Sequence, residues 1–275
     1  MTDFSNAMLV FWKDWREMRR NYQVIAPILF VPLIFAVILP SIIFFVPTMF
    51  GIPESSFQII GPIFQSLPPE IREMVATMGG QQQMLYIFGL YFFAPFFLII
   101  PLMASSVLAS DSFAGEKDRK TLEALLATPL SDGELLLGKI LVSFIPAMAV
   151  TVLSFAMYCV VIDLAAMPLF NGAVLLPNLL WTELIFLVTP TVALAGIGVT
   201  VIVSFKVKGY REAQQLSAIL LIPVLAVIFA EISGLIIFGP LMILILGVGF
   251  AALDVVVFKV GIALFNREEL LMKGI

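Results

Sequence analysis

The chain has 275 residues, 61% of them apolar and 12% charged, with a net charge of −4 and a mean hydropathy of +1.09. A water-soluble domain carries about twice that charge on about 45–50% apolar residues, so this is an integral membrane protein. There is no histidine and one cysteine, Cys159, which excludes histidine-based acid–base catalysis, histidine-ligated metals, intrachain disulfides and thiolate clusters.

At the N-terminus, Met8, Phe11, Trp12, Trp15 and Met18 recur at three- and four-residue steps, and Lys13, Asp14, Arg16, Glu17 and Arg20 populate the other side. This pattern predicts an amphipathic helix over about 5–20, lying in the membrane interface with its tryptophans as anchors. The first 23 residues lack the short apolar stretch and small-residue cleavage site of a leader, so no cleavable signal peptide is expected.

Crossing about 30 Å of hydrocarbon takes roughly 20 apolar residues, and the gaps between charges place six such segments. They fall near 24–46, 84–109, 140–162, 180–205, 216–232 and 238–258. Pro27, Pro32 and Pro40 predict a kinked first span packed against its neighbours. Between spans one and two, an external loop of about 47–83 holds a short helix. Pro69 opens it, Gly79 and Gly80 close it, and Ile71, Met74, Val75 and Met78 share one face.

Between spans two and three, about 111–139 reads as a charged helix–turn–helix. A helix over 116–127 carries Leu122, Leu125 and Leu126 on one side, Pro129 ends it, and Ser131 with Glu134 forms a capping box that starts the next helix. The run from Gly133 to Lys139 imitates the spacing of a phosphate-binding loop. However, Leu135 to Leu137 continue a helix and Ile140 stands where a magnesium-binding hydroxyl is required, so nucleotide binding by this chain is not expected.

Basic residues fix the orientation, because cytoplasmic loops retain lysine and arginine. With the N-terminus inside, fourteen of the fifteen basic residues fall on cytoplasmic segments and only Arg72 lies outside. Both termini are then cytoplasmic, and the whole of 1–275 is one all-α transmembrane domain of the cell membrane. Acidic residues in or near spans are the usual functional suspects. Asp254 in span six and Glu183 near the outer end of span four are therefore candidate members of an intramembrane polar site. Asp163 and Glu231 sit nearer the external interface.

The stretch Glu116-Lys-Asp-Arg-Lys-Thr-Leu-Glu-Ala-Leu-Leu-Ala-Thr-Pro-Leu-Ser131, followed by Glu134-Leu-Leu-Leu-Gly-Lys139, resembles the intracellular signature of permease subunits of type-2 ABC transporters, the exporter-type superfamily. The family pattern is Glu-x-Glu/Asp-Arg-Gly-Thr-Leu-Glu-x-Leu-Leu-x-Thr-Pro, and Lys120 stands here at its glycine. Segments beginning at Arg211 and Phe265 are weaker echoes of the same family. The resemblance implies a pathway built from two permease chains, identical or similar, and driven by a separate cytosolic ATPase that binds ATP and Mg2+. It also implies that the segment after span two is a coupling helix seated on that ATPase. Glu116, Arg119, Thr121 and Glu123 would serve the coupling, with Lys206 and Arg211 as a second contact, while Leu122, Leu125 and Leu126 pack against the bundle. No catalytic residue, metal or cofactor is expected in this chain, and no nucleic-acid partner. The alternative is a stand-alone ion-coupled transporter, which predicts inverted repeats and charged or broken-helix sites near the midplane. A membrane enzyme or a mere anchor for another protein fits these residues less well.

Overall fold

The computed structural model describes residues 4–50, 64, 67, 69–121, 128–207, 209–236 and 239–264. Among them there are helices, turns and no strand. Six helices are long and apolar enough to cross a membrane: span one Tyr22–Pro47, span two Gly80–Asp118, span three Asp132–Ala166, span four Leu179–Ser204, span five Tyr210–Ile232 and span six Pro240–Gly261. Each contains or closely overlaps its predicted counterpart. The chain is a multi-pass membrane protein.

Spans two and four occupy the centre. From Ile99 to Phe113, every residue of span two except Met103 is buried. Small residues allow the two spans to approach: a Cβ added to Gly196 would stand 2.5 Å from Ser105 Oγ. Close backbone approach of this kind replaces the hydrophobic drive that lipid cannot supply. Spans one, five and six lie at the periphery, with Phe30, Ile42, Ile222, Phe229, Leu241 and Val248 turned outward.

Both central spans carry a π-turn, at Phe88–Phe92 in span two and at Leu184–Val188 in span four, and the break in span two is satisfied from within. In span two, a π-turn at Phe88–Phe92 runs into a 3-10 turn at Pro95–Leu98. The Phe93 amide donates to Phe88 O and the Ala94 amide to Tyr91 O, so Gly89 O and Leu90 O lose their regular helical donors. In hydrocarbon an unpaired carbonyl costs several kcal/mol. Tyr158 Oη donates to Gly89 O at 2.8 Å and Trp181 Nε1 donates to Leu90 O at 3.0 Å. Both rings are fully buried and stack with centroids 4.7 Å apart. The kink expected in span one is a π-turn at Ile34–Ile38, directly after Pro32.

The short helix before span two is present as Pro69–Ala76, with Val75 buried and Ile71 and Met78 packed toward Ile87; Met74 on its other side is exposed. Gly79 and Gly80 open span two rather than merely closing this helix. Asp163 ties down the connection to span four, its Oδ1 accepting from the Leu175 and Leu176 amides at 2.9 and 3.1 Å.

The predicted helix over 116–127 does not run unbroken through Lys120. Glu116 belongs to the last turn of span two, and Lys120, at φ +54°, ends that turn. The Thr121 amide donates to Glu116 O at 3.0 Å and the Lys120 amide to Lys117 O at 3.1 Å, the paired bonds of a Schellman cap. The left-handed position is where the family pattern has glycine, the residue that adopts it without a Cβ clash. Residues 122–127, including Leu122, Glu123, Leu125 and Leu126, lie outside the described residues. Past them the capping box is formed as read: the Glu134 amide donates to Ser131 Oγ at 3.3 Å and the Ser131 amide to Glu134 Oε2 at 2.8 Å.

A left-handed lysine costs about 1 kcal/mol relative to glycine. Lys120→Gly is therefore expected to raise the thermal midpoint of the protein in detergent, and Lys120→Val to lower it. An unchanged midpoint in both would show that the turn carries no strain.

Candidate functional site

The charged groups of the chain converge at the end of the bundle where the N-terminal helix α1, Phe4–Met18, crosses spans two and three. α1 buries Ala7, Val10, Phe11, Asp14 and Met18. The crossing point is Gly138: a Cβ there would stand 2.6 Å from Ala7 O and 2.7 Å from Val10 Cβ. The next residue, Lys139, is thereby held under α1 and is 2% exposed. Facing it is Glu116, in the last turn of span two, at 0% exposed.

Lys139 Nζ lies 2.8 Å from Glu116 Oε2 and 3.6 Å from Asp14 Oδ2, and it donates to Ser112 O. Lys13 Nζ lies 2.8 Å from Glu116 Oε1 and 3.1 Å from Asp14 Oδ1. Ser112 Oγ donates to Asp14 Oδ2 at 2.7 Å. One turn away, Arg119 Nη1 donates to Asp111 Oδ1 at 3.0 Å, and Asn21, the N-cap of span one, donates to the same oxygen at 3.4 Å. Glu17 closes the rim, 3.8 Å from Arg119. Three buried acids thus meet three cations, and no two of the central partners Lys13, Glu116 and Lys139 share an element.

Burial works against charge at each of these positions, and the neighbours decide the outcome. For Asp14 desolvation would raise the carboxyl, but Lys139, Lys13 and the Ser112 hydroxyl outweigh it and hold the pKa below 3.8. For Lys13 burial would depress the ammonium, yet Asp14 and Glu116 reverse that and raise it above 10.5. A buried pair of this kind adds little net stability relative to apolar packing, but removing one partner strands the other and costs about 3–5 kcal/mol. Its value is specificity: α1, the end of span two and the start of span three have one mutual arrangement.

The same turn of span two also grips the far side of the bundle. Lys117 Nζ donates to Ser204 O at 2.7 Å and Val207 O at 3.2 Å, capping the C-terminus of span four. Asp118 Oδ2 accepts from the Tyr210 amide at 2.8 Å, at the first residue of span five. Gly209 is required there, because a Cβ would overlap the Asp118 carboxylate. Two adjacent residues therefore bridge the connection between spans four and five.

The residues selected from sequence are distributed unevenly. Glu116 lies at the centre of the ion cluster, Arg119 is at its rim, and Thr121 is half-buried. Lys206 and Arg211 are exposed at the same end. Asp254 is 8% exposed in span six, its Oδ1 buried without a hydrogen-bond partner, and Glu183 is half-buried in the first turns of span four. A Cβ on Gly247 would meet Val188, and one on Gly198 would meet Val257, so spans four and six run in register. That register separates Glu183 from Asp254 by roughly 18 Å at 1.5 Å per residue, so the two acids form no single site. Sequence reading missed Lys13, Asp14, Asp111, Ser112 and Lys139. The two sides read for α1 are corrected: Asp14, read onto the polar side, is buried in line with Phe11 and Met18, while Trp12, read onto the apolar side, is exposed. The available signal was the 11, 14, 18 spacing, with Lys139 at the edge of an apolar run.

These features define a membrane protein with six candidate spans among the described residues, whose N-terminal helix is clamped by buried ions onto the end of span two and the start of span three. The chain belongs to the ABC-2 family of transporter proteins, whose family model matches residues 8–241. That range takes in α1, the ion cluster and the first five spans. A search of the curated proteins found no match.

Lys139→Met, which leaves Glu116 and Asp14 with one cation fewer, is expected to cost about 3–5 kcal/mol. Glu116→Gln combined with Lys139→Gln should cost less than the sum of the single changes in thermal denaturation; strict additivity would show that the two side chains do not interact. Asp14, depressed in the folded state, contributes fully above pH 3.8 and loses its contribution as pH falls through its lower folded value. Lys13, raised in the folded state, contributes fully below pH 10.5 and loses its contribution only above it. Tryptophan emission from Trp12 and Trp15 should therefore be flat between these limits and change on acidification below the lower one. A transition near neutrality would contradict this assignment.

Proposed function

We propose that the chain is the permease subunit of an ABC exporter, which forms the substrate pathway with a second copy or a similar chain and is driven by a separate cytosolic ATPase. In this reading ATP and Mg2+ are bound by the ATPase, both termini of the permease are cytoplasmic in the cell membrane, and the chain itself is not an enzyme. Family membership supports the class of machine. The observation that carries the mechanism is the enclosure of Glu116 between Lys13 and Lys139.

A force applied to the connection after Lys120 meets a span-two terminus that cannot yield by itself. Glu116 passes it to α1 and span three, while Lys117 and Asp118 pass it to spans four and five. Packed cores and buried ion pairs respond as rigid bodies, whereas a solvated loop would absorb the displacement. Glu116 accordingly acts from inside, and the exposed Arg119, Lys206 and Arg211 make the contact with the ATPase. A cavity of about 360 Å3 between spans two and five, lined by Leu102, Met103, Ser106, Gln214, Ser217 and Leu221, supports a pathway along this seam. Within it Ser106 Oγ is buried with no hydrogen-bond partner among the described residues.

The test is recovery from mild detergent. A P-loop ATPase is expected to co-purify in stoichiometric amount, and Lys206→Glu with Arg211→Glu should lower its recovery at least tenfold while leaving the thermal midpoint of the permease unchanged. Solute flux through the purified chain alone, indifferent to ATP, would establish the ion-coupled alternative instead.

A further inference from the structure

α1 has two chemically different sides. On the side toward the bundle the cations are paired with carboxylates: Lys13 of α1 and Lys139 of span three, each at 2.8 Å from Glu116, and Arg119 at 3.0 Å from Asp111. On the outward side Arg16, Arg19 and Arg20 are exposed, and among the described residues none of them forms an ion pair. Glu17, the acid nearest to them in sequence, is turned toward Lys13 and Arg119. The outward side is also apolar in part. Leu9 is 65% and Trp12 52% exposed, and Leu9, Trp12 and Arg16 follow one another at three- and four-residue steps, so they form one stripe of α1, with Arg19 and Arg20 in the turn directly after its end.

The depth of this stripe is set by the chain. Span one begins at Tyr22, and Arg19 and Arg20 precede it by three and two residues. At no more than about 3.6 Å per residue, both guanidiniums are confined to the layer where the hydrocarbon meets the headgroups. Tryptophan prefers the same layer, with its ring in the acyl region and its N–H toward water. Guanidinium binds phosphate oxygens through paired donors, and a row of unpaired arginines at that depth lacks only the anion.

We propose that Arg16, Arg19 and Arg20, with Leu9 and Trp12 beside them, form a docking surface for the phosphate groups of anionic phospholipids in the leaflet on which α1 lies. The bound lipid holds the outer side of α1 as the ion cluster holds its inner side, so α1 connects the headgroup layer to Glu116. This surface is independent of the ATPase reading, since it uses none of the residues assigned to that contact.

The experiment uses the full chain in phosphatidylcholine vesicles into which phosphatidylglycerol or phosphatidylcholine with brominated acyl chains is titrated. Bromine quenches Trp12 and Trp15, while Trp181, fully buried, is the internal reference. Brominated phosphatidylglycerol is expected to quench with a relative binding constant about fivefold or more above that of brominated phosphatidylcholine. Arg16→Gln with Arg19→Gln and Arg20→Gln should bring the ratio to one, and the corresponding lysine substitutions should keep most of it. Unchanged Trp181 emission in each variant verifies the fold, and the single glutamine variants should lower the ratio stepwise. A ratio of one in the unmodified protein, or selectivity that survives all three glutamine substitutions, overturns the proposal. So does a triple variant that loses the ATPase while lipid selectivity is unaffected, which would make the arginines a protein contact.

Discussion

A carboxylate with no access to water needs its counter-charge supplied from within the protein, and Glu116 draws its two from different parts of the chain. Lys13 comes from α1 and Lys139 from the start of span three, while Glu116 itself ends span two. Neither ammonium can leave without stranding charge in a medium that penalises it by several kcal/mol. The relative placement of three elements, one of them about a hundred residues away in sequence from the other two, thus rests on one side chain. Gly138 makes this possible by letting α1 come close enough to cover Lys139.

The same requirement explains the middle of the bundle. Hydrocarbon offers no hydrogen bonds, so a broken helix survives only where a neighbour replaces the missing donor. Tyr158 and Trp181 do this for the carbonyls of Gly89 and Leu90, and their stacked rings fill the space opened by the π-turn. Polar satisfaction organises both ends of span two, by side-chain donors at the π-turn and by ion pairs at Asp111–Arg119. Between them the span packs on small residues against span four. An element anchored at two points and smooth between them suits a role in transmitting displacement.

Asp254 and Ser106 lie away from the ion cluster, and each has a buried oxygen with no hydrogen-bond partner among the described residues. Ser106 borders the cavity between spans two and five, where a ligand or water has room to satisfy it. Asp254 lies on the seam between spans four and six, away from the ion cluster. The exposed arginines Arg16, Arg19 and Arg20 are the converse case, charges at the surface that form no ion pair among the described residues.

Six spans, their approximate limits, the kinked first span, the short helix at Pro69 and the capping box at Ser131 were all legible in one dimension. Each follows from a local rule: apolar length, proline geometry or cap chemistry acting within a few residues. Charge position along the chain also marked the end at which the ionic chemistry gathers. The helix read over 116–127 is interrupted at Lys120, because periodicity does not register a left-handed turn at a residue with a Cβ, although the family's glycine at that position pointed to one. Asp14 and Lys139 went unrecognised for a related reason: one was read onto the polar side of its helix and the other at the edge of an apolar run, and neither position reveals a counter-charge distant in sequence. Only the folded chain, by bringing residues 13, 14, 116 and 139 within a few ångströms, turned those charges into partners, because electrostatic pairing depends on distance in space and not on separation along the sequence.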